Sequence, residues 1–208
     1  MVFEEVYCIT LAGSKERRAS VKEELEDWNP KIWYTCIKPL DGSNVHTLYT
    51  PYYDNIKITS PKVYNRVLDC AINHYTIIKT AYLRGVENIL IFEDDIELLP
   101  TFSRAVEETP TNVDVVKYWC TSYENKPIWD GEQPLYNKEP PLSDTCSTLC
   151  YGLSRKGMKA YIELQDKGLQ PADMPFVNLL KDKSLNCITL NYKVCKPKGF
   201  KSQINGNC

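Results

Sequence analysis

Three consecutive acids, Glu93, Asp94 and Asp95, follow the apolar run 89–92. A buried parallel strand delivers the residues at its carboxyl end to the crevice in which α/β folds bind ligands. Carboxylates at this density repel one another unless a divalent cation such as Mg²⁺ or Mn²⁺ neutralises them, with substrate phosphates completing the coordination. Because side chains alternate along a strand, Glu93 and Asp95 are expected on one side and Asp94 on the other. A solvated acidic turn before the next helix is the alternative.

The elements that position these acids follow an α/β pattern, in which short apolar runs alternate with amphipathic stretches around a largely parallel sheet. The predicted strands are Val6–Leu11, Ile32–Ile37, Asn88–Asp95, Asp114–Trp119, Thr148–Leu153 and Cys187–Val194. The predicted helices are Lys15–Trp28, Val63–Leu83, Thr101–Glu108, Arg155–Gln165 and Met174–Lys181. Residues Ser43–Pro61 are expected to form a loop, and the proline-rich stretch Glu124–Pro141 is expected to be irregular. No linker interrupts the pattern, so we expect a single domain over residues 1–208.

Composition excludes several classes of protein. The 208 residues carry 25 lysines and arginines against 27 acids, a net charge of -2, so no broad cationic face for nucleic acid is expected. No apolar run approaches the ~18–20 residues of a membrane span, and the acidic start lacks the positive region of a secretory signal. Nine cysteines without a CxxC pair, and two histidines, make a structural zinc site unexpected. They fit buried thiols of a cytoplasmic protein better than a disulfide framework.

Several short motifs occur in a characteristic order. They are Ile9-Thr10-Leu11 with Arg17-Arg18, Asp41-Gly42, Asn73-His74, the acid triplet, Cys150–Gly157 and Asp173. In these motifs the chain, from Val6 to about Ser202, resembles glycosyltransferase family 25, which includes lipooligosaccharide galactosyltransferases and the collagen galactosyltransferase domain. Thr10 stands where that family usually has Asn, and Asn73 stands where it has Ser. A cytoplasmic enzyme of this kind fits a bacterial or large-DNA-virus source, such as a chlorella virus, and the host cytoplasm in the viral case.

The resemblance implies a GT-A-like domain that transfers a sugar from a nucleotide-sugar donor, by default a UDP-sugar, to a glycan or glycoprotein acceptor with Mn²⁺ or Mg²⁺. Asp95 is the first candidate for a metal ligand, and Glu93 is directed toward the ion or the donor. Asp94, grouped with the catalytic residues, is expected to hold the ribose or a lysine. No histidine follows His74 to serve as a further metal ligand. Either diphosphate and water complete the coordination, or the metal binds more weakly.

The donor-binding candidates come from separate parts of the chain. Arg17 and Arg18, at a helix start, suit a diphosphate or a base, although an ordinary exposed helix face also accounts for them. The basic tail with Lys198 and Lys201 is either a flexible lid over the diphosphate or a frayed terminus. The other donor-binding candidates are Thr10, Leu11, Ala12 and His74.

Two of the candidates carry explicit alternatives. Asp173 is the carboxylate expected to face the acceptor hydroxyl, as general base in an inverting enzyme or as a positioning group in a retaining one. It is equally suited to capping a helix that begins at Met174. His74, at the edge of the apolar stripe of its helix, is either a packed, hydrogen-bonded histidine or a donor or acceptor contact.

Two further function classes remain open from the sequence. One is a catalytically silent nucleotide- or carbohydrate-binding module, such as the first domain of a longer glycosyltransferase chain. The other is a metal-dependent phosphohydrolase, which needs more in-line acids and a histidine than the chain offers.

Overall fold

The fold is taken from a computed structural model that describes residues 2–11, 15–35, 61–137, 139–141 and 143–199. The strands are β1 (Glu5–Leu11), β2 (Lys31–Thr35), β3 (Asn88–Glu93), β4 (Ile96–Leu98), β5 (Val115–Lys117), β6 (Tyr136–Asn137), β7 (Cys150–Ser154), β8 (Cys187–Leu190) and β9 (Cys195–Pro197). The helices are α1 (Lys15–Glu24), α2 (Pro61–Leu83), α3 (Phe102–Glu107), α4 (Arg155–Asp166) and α5 (Met174–Leu179). Short 3-10 turns cover Glu26–Trp28 and Thr121–Asn125.

Seven strands form one sheet in the order β2-β1-β3-β7-β5-β8-β6, and β4 pairs separately with β9. Strand β1 runs parallel to β2 and β3, and β5 runs parallel to β8. Strand β7 is antiparallel to both β3 and β5, and β6 is antiparallel to β8. Five of the seven strands therefore share one direction. The predicted α/β fold with a mostly parallel central sheet flanked by helices is confirmed.

Strand β3, the third in the order of the sheet, is covered by helices on both faces. Its residues Ile89, Leu90, Ile91 and Phe92 are all completely buried. Side chains alternate along a strand, and Ile89 and Ile91 pack in a core with α2 and α4, whereas Leu90 and Phe92 pack in a second core with α1 and α3. An uninterrupted apolar run is the pattern expected of a strand buried on both sides.

Two predicted boundaries are wrong at the edge of the sheet that carries the acids. Strand β3 ends at Glu93, and Asp94 and Asp95 form a turn that leads into β4. The tail does not begin as a free lid, because Cys195–Pro197 form β9, antiparallel to β4. Strand β4 belongs to this separate two-stranded sheet and not to the main sheet that contains β3.

Helix α1 also ends earlier than predicted, at Glu24 instead of Trp28. A 3-10 turn follows it, and Asn29 then adopts the left-handed conformation with φ 41°. Asparagine tolerates this conformation better than most residues. The predicted loop Ser43–Pro61 lies almost entirely outside the described residues.

The cysteines are free thiols wherever the structure describes them. Five are buried, one is partly exposed and one is exposed: Cys8, Cys120, Cys150, Cys187 and Cys195, then Cys70, then Cys146. None of the helices within the described ranges combines the length and the apolar content that crossing a bilayer requires.

Candidate functional site

Four strands bring polar side chains to one edge of the seven-stranded sheet. Parallel strands end at the same edge, so Thr10 of β1, Glu93 of β3 and Lys117 of β5 are delivered together. Strand β7 runs the opposite way, so Thr148, just before it, reaches the same edge from its beginning. This is the edge at which open α/β sheets bind ligands.

Asp94 is the centre of a buried polar network. Arg17 donates from Nη1 to Asp94 Oδ1 at 2.7 Å, and Thr10 donates from Oγ1 to Asp94 Oδ2 at 2.7 Å. All three residues are buried. Both carboxylate oxygens of Asp94 are thus engaged by the protein. The charged side chain that Asp94 holds is Arg17 and not the predicted lysine, and its contact with the ribose stays a prediction. The predicted donor-binding residues Thr10 and Arg17 are brought together, and both contact the acid turn formed by Asp94 and Asp95.

Asp95 has a different environment from its neighbour. Its Oδ2 lies 3.4 Å from Arg17 Nη1, and its Oδ1 is buried without a hydrogen-bond partner among the described residues. Burial and then the charge of Glu93 raise the pKa of Asp95 to about 6, against the opposing effect of Arg17. A carboxylate with an unsatisfied oxygen among like charges fits a divalent cation with oxygen ligands.

The tail fixes the acid turn from the other side. The Lys198 backbone N–H donates to the Asp95 carbonyl oxygen at 2.6 Å. Its ammonium lies 2.6 Å from Glu24 Oε2 and donates to Ser20 Oγ at 2.8 Å, both on α1. Lys198 therefore anchors the turn to α1, and the diphosphate contact expected of it stays a prediction. Lys201 and Ala12, two other predicted donor-binding residues, lie outside the described residues.

Glu93 has different neighbours from Asp94 and Asp95. Thr148 donates a hydrogen bond to its Oε1, and His74 Nε2 lies 3.3 Å from the same oxygen. Burial alone would raise the pKa of Glu93, but His74, Thr148 and more distant positive charge hold it below its ordinary value. The prediction that Glu93 and Asp95 face one side of the sheet and Asp94 the other is wrong. Asp94 and Asp95 both contact Arg17, whereas Glu93 contacts Thr148 and His74. The strand ends at Glu93, so its two-residue period does not extend into the turn.

His74 is a packed histidine. It is completely buried, and its Nδ1 lies 2.7 Å from the hydroxyl oxygen of Tyr151. The other ring nitrogen faces Glu93. These contacts correspond to the packed alternative and not to the donor contact predicted for His74, because no part of the ring reaches the surface.

Lys117 is a functional candidate that the sequence analysis missed. Its side chain is fully buried, and its ammonium donates to the carbonyl oxygens of Thr145 and Ser147. The ammonium also lies 4.2 Å from the ring centroid of Phe176. Burial lowers the pKa of Lys117, and the nearby carboxylate of Asp173 partly opposes that effect. The sequence feature that could have identified Lys117 is its position inside the apolar run of a predicted strand, where a lysine is unusual.

Asp173 reaches the same region from α5. Its carboxylate does not cap the helix; Oδ2 accepts a hydrogen bond from the Ser147 backbone N–H at 3.2 Å. Ser147 itself has φ 81°, the left-handed region that non-glycine residues rarely adopt. The alternative prediction, that the Asp173 side chain caps the helix beginning at Met174, is therefore wrong. Asp173 and Lys117 meet at a strained backbone segment, as is common at functional sites.

A cleft of about 530 Å³ lies between α1 and the outer edge of the sheet, lined by Thr10 and Arg18 among others. Its volume is within the range of small-molecule sites, about 300–1,000 Å³. Thr10 thus connects the acid turn to the cleft. Leu11, the last residue of β1, is adjacent in the chain.

Comparison with protein families gives one match over more than half of the chain. The family model described as "Glycosyltransferase family 25 (LPS biosynthesis protein)" matches residues 3–133. This range includes the ends of β1 and β3 and all three acids.

Curated relatives are mammalian. The Mus musculus protein named "Inactive glycosyltransferase 25 family member 3" is 26% identical over 182 residues, which cover 79% of this chain and 30% of the mouse protein. The Bos taurus protein named "Probable inactive glycosyltransferase 25 family member 3" is 26% identical over 204 residues, 89% of this chain and 33% of the bovine protein. The chain spans about a third of the length of these relatives.

Two solved structures show a more distant similarity. A glycosyltransferase involved in the glycosylation of the major capsid of PBCV-1 aligns with a TM-score of 0.43 and 11% identity, covering 89% of this chain and 81% of that one. The galactosyltransferase LgtC in complex with donor and acceptor sugar analogs aligns with a TM-score of 0.39 and 9% identity, covering 89% and 72%.

Proposed function

Because the chain belongs to glycosyltransferase family 25, we propose that it transfers a sugar from a nucleotide-diphosphate donor to a hydroxyl of a glycan or glycoprotein acceptor. The donor we propose is a UDP-sugar held with Mn²⁺ or Mg²⁺ at the acid turn. The observation that carries the proposal is the buried Oδ1 of Asp95, which has no hydrogen-bond partner in the described part of the chain. It lies at the edge of the sheet where open α/β folds bind ligands. Such an oxygen is costly unless a ligand satisfies it.

Asp95 is the residue we assign to the cation. Its raised pKa reports carboxylate charge that the protein leaves poorly compensated, and a divalent cation compensates it. When bound, the cation supplies charge stabilisation for the diphosphate leaving group. Glu93 contributes negative charge from nearby, while its Oε1 accepts a hydrogen bond from Thr148.

The Asp95 carboxylate is held in position by three neighbouring residues, Arg17, Asp94 and Thr10. Arg17 contacts Asp94 at 2.7 Å and Asp95 at 3.4 Å, so one guanidinium group fixes both carboxylates of the turn. Thr10 holds the second oxygen of Asp94. Preorganised charged groups stabilise a developing charge without reorganising during the reaction. We therefore propose that Asp94 acts by positioning and Asp95 by direct contact.

The donor's nucleotide is proposed to occupy the cleft beside α1. Arg18 and Thr10 both line that cleft, and Thr10 also touches the acid turn. A nucleoside in the cleft would place its diphosphate toward Asp95. The guanidinium of Arg18 suits a phosphate or a base edge.

The acceptor is proposed to approach Asp173. Its carboxylate is partly exposed and held by the Ser147 N–H, which leaves capacity for a hydroxyl donor. In an inverting reaction Asp173 takes the proton of the attacking hydroxyl, and in a retaining reaction it orients the acceptor. Lys117, behind the Ser147 carbonyl, fixes this segment in either case.

Free thiols support the proposed location. All seven cysteines in the described part of the chain are unpaired although five are buried. Disulfides are rare in the cytosol because its thiols are kept reduced, and we propose a cytoplasmic enzyme on that ground.

A silent binding module is the second candidate, since the mammalian relatives bear the word inactive in their names. The two functions are separated by incubating the protein with UDP-sugars and Mn²⁺ and measuring released UDP. A transferase releases UDP slowly without acceptor and faster with one, and Asp173→Asn lowers the acceptor-stimulated rate at least tenfold. Asp166→Asn, an exposed acid on α4, is the matched control. Donor binding with no UDP release in the presence of varied acceptors would contradict transfer and favour the silent module.

A further inference from the structure

A second group of metal-ligating side chains lies on the far side of Glu93 from the acid turn. The ligand atoms of Cys70, His74 and Glu93 all lie within 4.8 Å of one another. Cys70 and His74 are four residues apart on α2, and residues at this spacing are neighbours on one helix face. Glu93 closes the group from the end of β3.

The His74 ring is held in the orientation that a metal ligand requires. Its Nδ1 lies 2.7 Å from the Tyr151 hydroxyl oxygen, which fixes the ring. Its Nε2 lies 3.3 Å from Glu93 Oε1 but has no hydrogen-bond partner in the described part of the chain, although His74 is completely buried. Metal-bound histidines typically bond a polar group through the second nitrogen, which sets the tautomer. An unsatisfied, fully buried nitrogen is otherwise costly.

The donor set selects the metal. A thiolate, an imidazole and a carboxylate are the ligands of Zn²⁺, whereas Mg²⁺ and Mn²⁺ prefer oxygen ligands alone. Three protein ligands leave one position of a tetrahedral ion open to water. The Glu93 side chain is 28% exposed, so an ion has a route to the cluster from solvent.

We propose that Cys70, His74 and Glu93 form a Zn²⁺ site with three protein ligands and one open position. On binding, the S–H bond of Cys70 is replaced by an S–Zn bond, and the proton is released to solvent. The ion joins the middle of α2 to the end of β3. The site does not rest on the proposed glycosyl transfer, since its ligands and its probe are independent of a nucleotide.

Cobalt titration tests the site, because Co²⁺ takes the ligands of Zn²⁺ and reports a bound thiolate by a near-ultraviolet charge-transfer band. The purified full chain is stripped with a chelator and titrated with Co²⁺ alone. We expect the band to saturate at one equivalent and to disappear when Zn²⁺ is added. Cys70→Ser should lose the band, and Cys120→Ser, a buried thiol outside the cluster, should keep it.

Glu93→Gln is the second variant and keeps the side-chain shape. We expect its Zn²⁺ affinity, measured by competition with a chromophoric chelator, to fall at least tenfold, with unchanged circular dichroism. If Cys70→Ser does not fold, the comparison of Glu93→Gln with the wild-type protein tests the zinc site by itself. No charge-transfer band in the wild-type protein, a full band in folded Cys70→Ser, or unchanged Zn²⁺ affinity in Glu93→Gln would overturn the proposal.

Discussion

Arg17 Nη1 on α1 lies 2.7 Å from Oδ1 of Asp94, a residue 77 positions further along the chain. Both side chains are almost completely buried, at 10% and 7% exposure. This ion pair connects the first helix to the turn that follows β3. It therefore fixes the backbone on which Asp95, the proposed ligand of the donor's cation, is carried.

Replacing Arg17 should destabilise the protein strongly. Arg17→Ala leaves the buried Asp94 charge without its cation, and removing one partner of a buried ion pair costs about 3–5 kcal/mol. Lys22→Ala, on the exposed side of the same helix, should change the free energy of unfolding by less than about 0.5 kcal/mol. Urea unfolding measures both. Equal effects of the two substitutions would show that the pair is not a structural anchor.

Asp95→Asn should stabilise the metal-free protein at neutral pH. The pKa of Asp95 is raised from 3.8 to about 6 on folding, so its contribution to stability is full below pH 4 and is lost as the pH rises through 6. The variant should match the wild type near pH 4 and exceed it by about 1–3 kcal/mol at pH 7.5. Thermal unfolding across this pH range, with the exposed Asp27→Asn as control, measures the difference. A variant that is less stable at pH 7.5 would contradict the environment described for Asp95.

Glu5 should show the opposite dependence on pH. Burial alone would raise its pKa, but hydrogen bonds led by that from Lys31, with a further one from Arg84, lower it to about 2. The stability that this carboxylate contributes is present above its ordinary pKa of 4.5 and is lost as the pH falls toward 2. Glu5→Gln should lower the free energy of unfolding by about 1–3 kcal/mol at pH 7. The value is set below the full effect of the pKa change because Lys31 and Arg84 are half exposed and solvent screens their charges.

Urea unfolding at pH 7 and pH 3 measures this loss, with the exposed Glu4→Gln as control. The gap between wild type and Glu5→Gln should narrow at the lower pH. A gap that widens there would contradict the lowered pKa of Glu5.

Gly157 is required by packing. A β-carbon at this position of α4 would lie 2.1 Å from the backbone carbonyl oxygen of Asp114. Backbone atoms do not yield as a flexible side chain does, so Gly157→Ala should cost about 2–3 kcal/mol. Gly168→Ala, where a β-carbon meets open space, should be neutral or slightly stabilising. Chemical denaturation compares the two variants, and equal stabilities would contradict the close approach of α4 to Asp114.

Much of the fold could be predicted from local sequence. The run of apolar residues from Ile89 to Phe92 indicates a strand buried on both faces, and the structure confirms it. Sequence did not show where that strand stops, because Asp94 and Asp95 leave it for contacts with Arg17, which is distant in the chain. Pairing of β9 with β4 is equally non-local. Such boundaries are set by tertiary contacts that a local pattern does not contain.

The candidate site was predictable in part. A triplet of acids after a buried strand does place carboxylates at one edge of the sheet, but residue types alone do not distinguish Asp94, which Arg17 and Thr10 hold, from Asp95, whose Oδ1 has no partner among the described residues. Lys117 was missed because a lysine on a strand is usually an exposed one. Cys70 and His74 did not indicate zinc because their third partner, Glu93, joins them only through the packing of α2 on β3.

Calorimetric titration of the protein with UDP, with and without Mn²⁺, tests most directly the claim that Asp95 holds the donor through a cation. We expect UDP to bind at least tenfold more tightly with Mn²⁺, and this enhancement to be absent in Asp95→Asn and retained in Asp166→Asn. UDP affinity that is the same with and without Mn²⁺, or an Asp95→Asn variant that keeps the full enhancement, would contradict the account.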